Sequence, residues 1–148
     1  MKTSSELRTR ALQCLARREY SRAELRVRLL QYADGDAAQL DLLLDDLMAR
    51  GWLSDARAAA QLLHARSKRF GMQRIAHELR MKGITDDLID HTLSELTDSE
   101  QDRAREVWLK KYGTPPVDAR EKARQMRFMQ SRGFALEIIL KVMRQEDV

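Results

Sequence analysis

The chain holds one cysteine, Cys14, in 148 residues. That excludes an internal disulfide and a cysteine-rich metal site, and leaves Cys14 as a small residue on the apolar side of its helix. Histidines number three. His77-Glu78 opens like a zinc-binding His-Glu-x-x-His helix, but position 81 is Met, so the second ligand is missing. His64 and His91 have no partners at metal spacing. No apolar run reaches membrane length and no leader-type segment opens the chain, so a cytoplasmic protein is expected. Aromatics are 5% of the residues, which leaves few rings to stack on bases. Gly71 and Gly83 stand alone, read as helix stops and not as a phosphate-cradling loop. No nucleophile sits with a base, so an enzyme and a cofactor are not expected.

What is present is charge and helical periodicity. Hydrophobic residues make up 43% and charged residues 34% of the chain, with a net charge of +4. The signs are segregated. Residues 1–30 carry eight basic and three acidic groups, whereas Gln31 to Ala49 carry five Asp and no Lys or Arg. His64 to Ile84 carries six cations (Arg66, Lys68, Arg69, Arg74, Arg80, Lys82) against Glu78 alone, and Thr85 to Asp102 has seven carboxylates and no Lys or Arg. This patterning predicts separate basic and acidic faces.

Apolar spacing predicts an all-α protein, with no period-two run to compete. Helices are expected from about Ser5 to Arg18, and after a Ser21/Glu24 capping box with Leu25, Leu29 and Leu30 inward. Past Asp34-Gly35-Asp36, a stripe of Leu40, Leu43, Leu44, Leu47 and Met48 predicts a third helix ending at Gly51. The next, Asp55 to about Lys68, is expected to turn Ala56, Ala59, Ala60 and Leu63 inward. Met72 to Lys82 follows with Ile75 and Leu79 on one face, closed by Gly83 with Ile84 folding back. Thr85 caps a helix bearing Leu88, Ile89, Leu93 and Leu96. The last third repeats the plan: Gln101 to Lys111 with Val107 and Trp108, the stiff Thr114-Pro115-Pro116 loop, an Asp118/Glu121 cap, a stop at Gly133-Phe134, and a stripe of Leu136, Ile139, Leu140 and Met143.

Aromatic or glycine punctuation recurs at Tyr20, Phe70-Gly71, Gly83, Tyr112-Gly113 and Gly133. The period of roughly 45 residues predicts three tandem three-helix repeats, 1–53, 54–97 and 98–148, in an elongated, curved array. A single irregular helical domain is the alternative.

The run Arg66-Ser67-Lys68-Arg69-Phe70-Gly71, with Ile75, Glu78-Leu79 and Lys82-Gly83-Ile84, resembles the central signature of the RecX family, bacterial regulators of the recombinase RecA. Gly51-Trp52-Leu53-Ser54-Asp55-Ala56-Arg57 upstream, and Arg18-Glu19-Tyr20-Ser21 with Glu24-Leu25 near the start, resemble the same family. The resemblance covers nearly the whole chain in order. It departs at Arg69-Phe70-Gly71, where the family usually carries Gly-Tyr-Gly, and near Ala58, where it usually has an aromatic.

The resemblance implies a protein that binds the RecA filament on single-stranded DNA and restrains its extension, ATP hydrolysis and strand exchange; a monomer is expected. The residues expected to do so are Arg66, Lys68, Arg69, Arg74, Arg80 and Lys82, with Arg17, Arg18, Arg22 and Arg26 in the first repeat and Lys110, Lys111, Arg120, Lys122, Arg124 and Arg127 in the third. A plain DNA-binding module of three-helix units, or a helical scaffold for another protein, would account for the same charges.

Overall fold

The computed structural model describes residues 4–96 and 99–145, and all their regular structure is helical. In chain order the helices are α1 (Ser4–Arg17), α2 (Arg22–Leu30), α3 (Ala37–Ala49), α4 (Asp55–Arg66), α5 (Met72–Met81), α6 (Asp86–Leu93), α7 (Glu100–Lys111), α8 (Ala119–Ser131) and α9 (Leu136–Met143). The chain divides into two compact units, Met1–Gln61 with Leu79–Ile89, and Leu62–Glu78 with Asp90–Val148. The expected boundary at Thr97-Asp98 lies outside the described residues. Within those residues no helix is long and apolar enough to cross a membrane.

The first unit is built on the leucines of α2 and α3. Leu25, Leu29, Leu40, Leu43, Leu44 and Leu47 are buried with Leu7, Ala11, Tyr20 and Leu53. Two stripe positions fall outside this core, since Leu30 and Met48 are exposed; each ends its apolar arc, where the helix turns to water. Ser21 caps α2 through its hydroxyl while the Glu24 carboxylate accepts the Ser21 N–H, so the expected box is complete. Ser21 is also fully buried and donates its hydroxyl to the Lys82 carbonyl at 2.6 Å, tying the start of α2 to the end of α5. At that end Gly83 has φ +76°, its N–H reaches Arg80 O, and the Ile84 N–H reaches Leu79 O. Those two bonds make the glycine stop with its folded-back neighbour.

Glu24 is the electrostatic hub of this junction. It takes Lys82 Nζ at 2.8 Å and Arg18 at 3.1 Å besides the Ser21 N–H. Burial pushes its carboxyl up, but Lys82, Ser21 and Arg18 together hold it below its ordinary value of 4.5. A lowered carboxyl stabilises the fold above that ordinary value and loses the contribution as pH falls through the folded one. Glu24→Gln should therefore cost about 1 kcal/mol at neutral pH, the size of a helix cap. In thermal melts the gap between the two proteins should narrow as the pH falls below the ordinary value of 4.5; a gap that stays constant from neutral to strongly acid pH would refute the account.

In α4 the helical phase differs from expectation. Ala58, Ala59 and Leu63 are buried, whereas Ala56 and Ala60 are exposed. A helix of alanines has too little contrast between its faces for spacing to set its phase.

The second unit has its own core, with Trp108, Met129, Phe134, Ile139, Val142 and Met143 buried around Ala104. In α9 the inward residues are Ile139, Val142 and Met143, and Leu136 is exposed. Gly71 is not a left-handed stop. Its carbonyl accepts the Ile75 N–H in the first turn of α5, and its N–H donates to Arg132 O at 2.7 Å. A Cβ on Gly71 would lie 2.4 Å from the Gly133 carbonyl oxygen. Glycine is required there because two backbones touch. Gly133 is a left-handed stop as expected, with φ +90°.

Candidate functional site

Each expected cation stands either in an ion pair that the fold itself uses or apart from any carboxylate. In the first unit most are paired. Arg22 meets Asp45 at 2.7 Å, Arg26 meets Asp41 at 2.8 Å, and Arg8 meets Asp46 at 2.6 Å. The neighbouring charges leave their marks: Arg26 holds Asp41 below the usual carboxylate value, and Arg8 with Arg50 does so for Asp46. The acidic α3 is therefore no separate face; it neutralises cations of α1 and α2. Arg18 and Lys82 are held by Glu24, and Arg80 by Asp86 at 3.3 Å. Arg17 is exposed on the last turn of α1. A cleft of about 670 Å³ gathers Arg18, Arg28 and Arg80 around Val27 and Met81, but Glu24 also lines it.

The second unit differs. Arg66 and Arg74 share Glu78, at 3.2 and 3.7 Å. Arg74 also lies 4.0 Å above the Phe70 ring and donates to Ser131 O, so it serves the packing of α5. Five further cations of this unit converge. Lys68, Arg69, Lys110, Lys111 and Arg132 line a groove of about 300 Å³ whose apolar wall is Val107 and Phe128. No carboxylate lines it, and among the described residues none of the five has a carboxylate within ion-pair distance. Five unneutralised cations around one groove make a locally positive surface.

Local structure explains how they meet. Lys110 and Lys111 occupy the last turn of α7, where the helix dipole favours cations. Lys68 and Arg69 lie on the turn between α4 and α5, anchored as Arg103 donates to Ser67 O and Phe70 O, both at 2.8 Å. Arg132, absent from the expected set, is the C-cap of α8 and stands 5.0 Å from the Phe128 ring and 5.2 Å from the Phe70 ring. Its signal in the sequence was position: it precedes Gly133 as Lys82 precedes Gly83.

Arg120, Arg124 and Arg127 are exposed on α8 at i, i+4 and i+7, a single row. Lys122, two residues from Arg120, falls on another side of the helix by the same geometry. Tyr20 and Phe70 are buried at their junctions, whereas Tyr112 meets Phe128 edge-on at 5.7 Å and Gly113 turns with φ +76°. Among the described residues no three His, Cys, Asp or Glu are grouped to hold a metal ion.

Comparison with known proteins identifies this architecture. The family model for the second three-helix domain of RecX matches residues 54–93, and that for the third matches residues 98–143. The regulatory protein RecX of Leptothrix cholodnii is 49% identical over 141 residues, 95% of this chain and 89% of that protein. The chain belongs to the RecX family. The regulatory protein RecX of Chromobacterium violaceum is 44% identical, over 93% of this chain and 88% of its own. The fold of the RecX crystal structure from Lactobacillus salivarius superposes with a TM-score of 0.78, at 18% identity, over 96% of this chain and 95% of that one. A regulatory role goes with this family. Arg69 contributes a cation to the groove.

Proposed function

We propose that this protein binds the RecA filament on single-stranded DNA in the cytoplasm, as a monomer, and inhibits filament extension, ATP hydrolysis and strand exchange. It acts by occupancy, without chemistry of its own. Membership of the RecX family supports this reading, and the observation that carries it is the groove lined by Lys68, Arg69, Lys110, Lys111 and Arg132 with no carboxylate among them. A filament of recombinase on DNA offers anions along its length, and cations the fold leaves unpaired are those available to meet them. The three repeats, 1–53, 54–97 and 98–148, then bring several weak contacts to one partner, and linked contacts reinforce each other.

The test is ATP hydrolysis by RecA on single-stranded DNA, with this protein added well below the RecA concentration. Inhibition at that ratio, at a salt concentration where binding to bare DNA has vanished, is expected. If inhibition appears only once the DNA is coated, the protein is a DNA-binding module and the filament reading falls. Lys68→Glu with Arg69→Glu should raise the concentration for half-inhibition at least about tenfold, since a charge-assisted contact contributes about 1.5–3 kcal/mol. Arg66 is left intact because a glutamate there would face Glu78. Both substituted side chains are exposed, so the melting temperature should hold.

A further inference from the structure

We propose that the cations of the second unit take the phosphodiester backbone of the DNA strand itself, along a track made by the outer row of α8 and the groove beside it. This rests on the reading that the protein works at a DNA-bound filament. Arg120, Arg124 and Arg127 form the row, and the same helix carries Phe128 and Arg132 into the groove that holds Lys110 and Lys111. From Arg120 to Arg132 the helix rises about 18 Å. Phosphates of one duplex strand advance about 3.4 Å along the axis. The track is therefore long enough for several consecutive phosphates, far more than a single anion needs.

The row is costly to the isolated fold. Like charges at i, i+4 destabilise a helix by a few tenths of a kcal/mol per pair. In the first unit the fold answers such charge with α3, where Asp41 and Asp45 hold Arg26 and Arg22. In α8 the sole carboxylate is Glu121, and it lies 3.5 Å from the amide of the buried Gln125. An external polyanion supplies what the helix lacks.

A DNA backbone fits better than carboxylates of a protein surface. Protein interfaces centre on a desolvated apolar and aromatic core within a polar rim, whereas backbone binding needs spaced cations. The row has the second composition. The rings beside it are engaged, Phe128 with Tyr112 edge-on and with Lys111 and Arg132 by cation–π contact. They leave no open platform for bases, so binding should be indifferent to sequence.

The experiment is fluorescence anisotropy of labelled single-stranded oligonucleotides, one of thymidines and one of mixed sequence, across a salt series. It compares the protein with Arg120→Gln/Arg124→Gln/Arg127→Gln, and with Arg10→Gln/Arg28→Gln in the first unit. Neutralising three phosphate contacts should flatten the slope of log affinity against log salt by about 2, at about 0.7 per contact on single strands. The two oligonucleotides should bind alike, and the first-unit variant should keep its slope. An unchanged slope in the α8 variant, or an equal loss per charge in the first-unit variant, overturns the track.

RecA ATPase assays on the same variants separate the two proposals. If the α8 variant keeps its DNA affinity but loses inhibition, these cations meet protein carboxylates, and the track falls while the filament reading stands. If DNA affinity follows the track but even the unsubstituted protein inhibits RecA only once the DNA is coated, the track stands and the filament reading falls.

Discussion

Gly71→Ala is expected to destabilise the protein by about 2 kcal/mol and to weaken the groove while the chain is still folded. The added methyl would lie 2.4 Å from the Gly133 oxygen, 2.6 Å from its carbon and 2.7 Å from the Phe134 nitrogen, all backbone atoms. No rotamer change relieves such a contact, so the start of α5 and the end of α8 must separate. Separation loosens the hydrogen bonds from Gly71 N–H to Arg132 O at 2.7 Å and from Gln73 N–H to Gly133 O at 3.3 Å. Overpacking of this kind costs about 1–3 kcal/mol, and backbone on both sides argues for the upper end. Alanine returns somewhat under 1 kcal/mol by restricting the unfolded chain. In a chain of this size the melting temperature should fall by roughly 6 °C. Gly51→Ala is the control: it has φ +76° but open space around it, so it should cost only about 1 kcal/mol of backbone strain. Equal shifts for the two variants would show that Gly71 is kept for conformation and not for contact. Arg132, whose carbonyl accepts the Gly71 N–H, also lines the groove, so Gly71→Ala should lower DNA affinity at temperatures well below its melting point.

The features legible in the sequence are those that one segment determines by itself. The Ser21/Glu24 box needs four residues of chain, and Gly83-Ile84 needs a helix end and two residues beyond it. The leucine run of α3 has enough contrast to set its own inner face at Leu40, Leu43, Leu44 and Leu47. What the sequence left unread depends on partners far along the chain. Gly71 and Gly83 look alike as letters, yet one is held by backbone 62 residues away and the other by its own φ of +76°. Arg22 and Arg26 look as available as Arg124 and Arg127 until the fold sets Asp45 and Asp41 against them. A basic patch in sequence is thus a gross charge, and the net charge appears only when tertiary pairing has removed its share. That subtraction singles out the second unit, and it brings in Arg132, which stands apart from the basic runs.

Trp108→Ala should cost about 3–5 kcal/mol, a large part of the roughly 5–15 kcal/mol that holds a domain together. Trp108 is buried at 1% exposure among Met129, Phe134 and Ile139, so its removal leaves an indole-sized void that the surrounding helices can close only in part. The indole Nε1–H also donates to Gln125 Oε1 at 2.8 Å, and Gln125, fully buried, donates its amide to Thr114 O at 3.3 Å. One buried amide therefore ties α7, the proline loop and α8 together. Trp108→Phe separates the two contributions. It keeps most of the ring but strands the glutamine oxygen, which should cost about 1–3 kcal/mol for an unsatisfied buried acceptor. Trp108→Phe combined with Gln125→Leu removes donor and acceptor together and should recover part of that loss, because no buried acceptor is stranded and the exposed Thr114 carbonyl, which loses the Gln125 amide, can turn to water. Chemical denaturation of Trp108→Phe, of Gln125→Leu and of the double variant decides the matter. If the double variant is less stable than the sum of its single changes, the bond is not what Gln125 is buried for. If it recovers stability, α8 is held in place through Gln125, and with it the row of arginines that α8 presents.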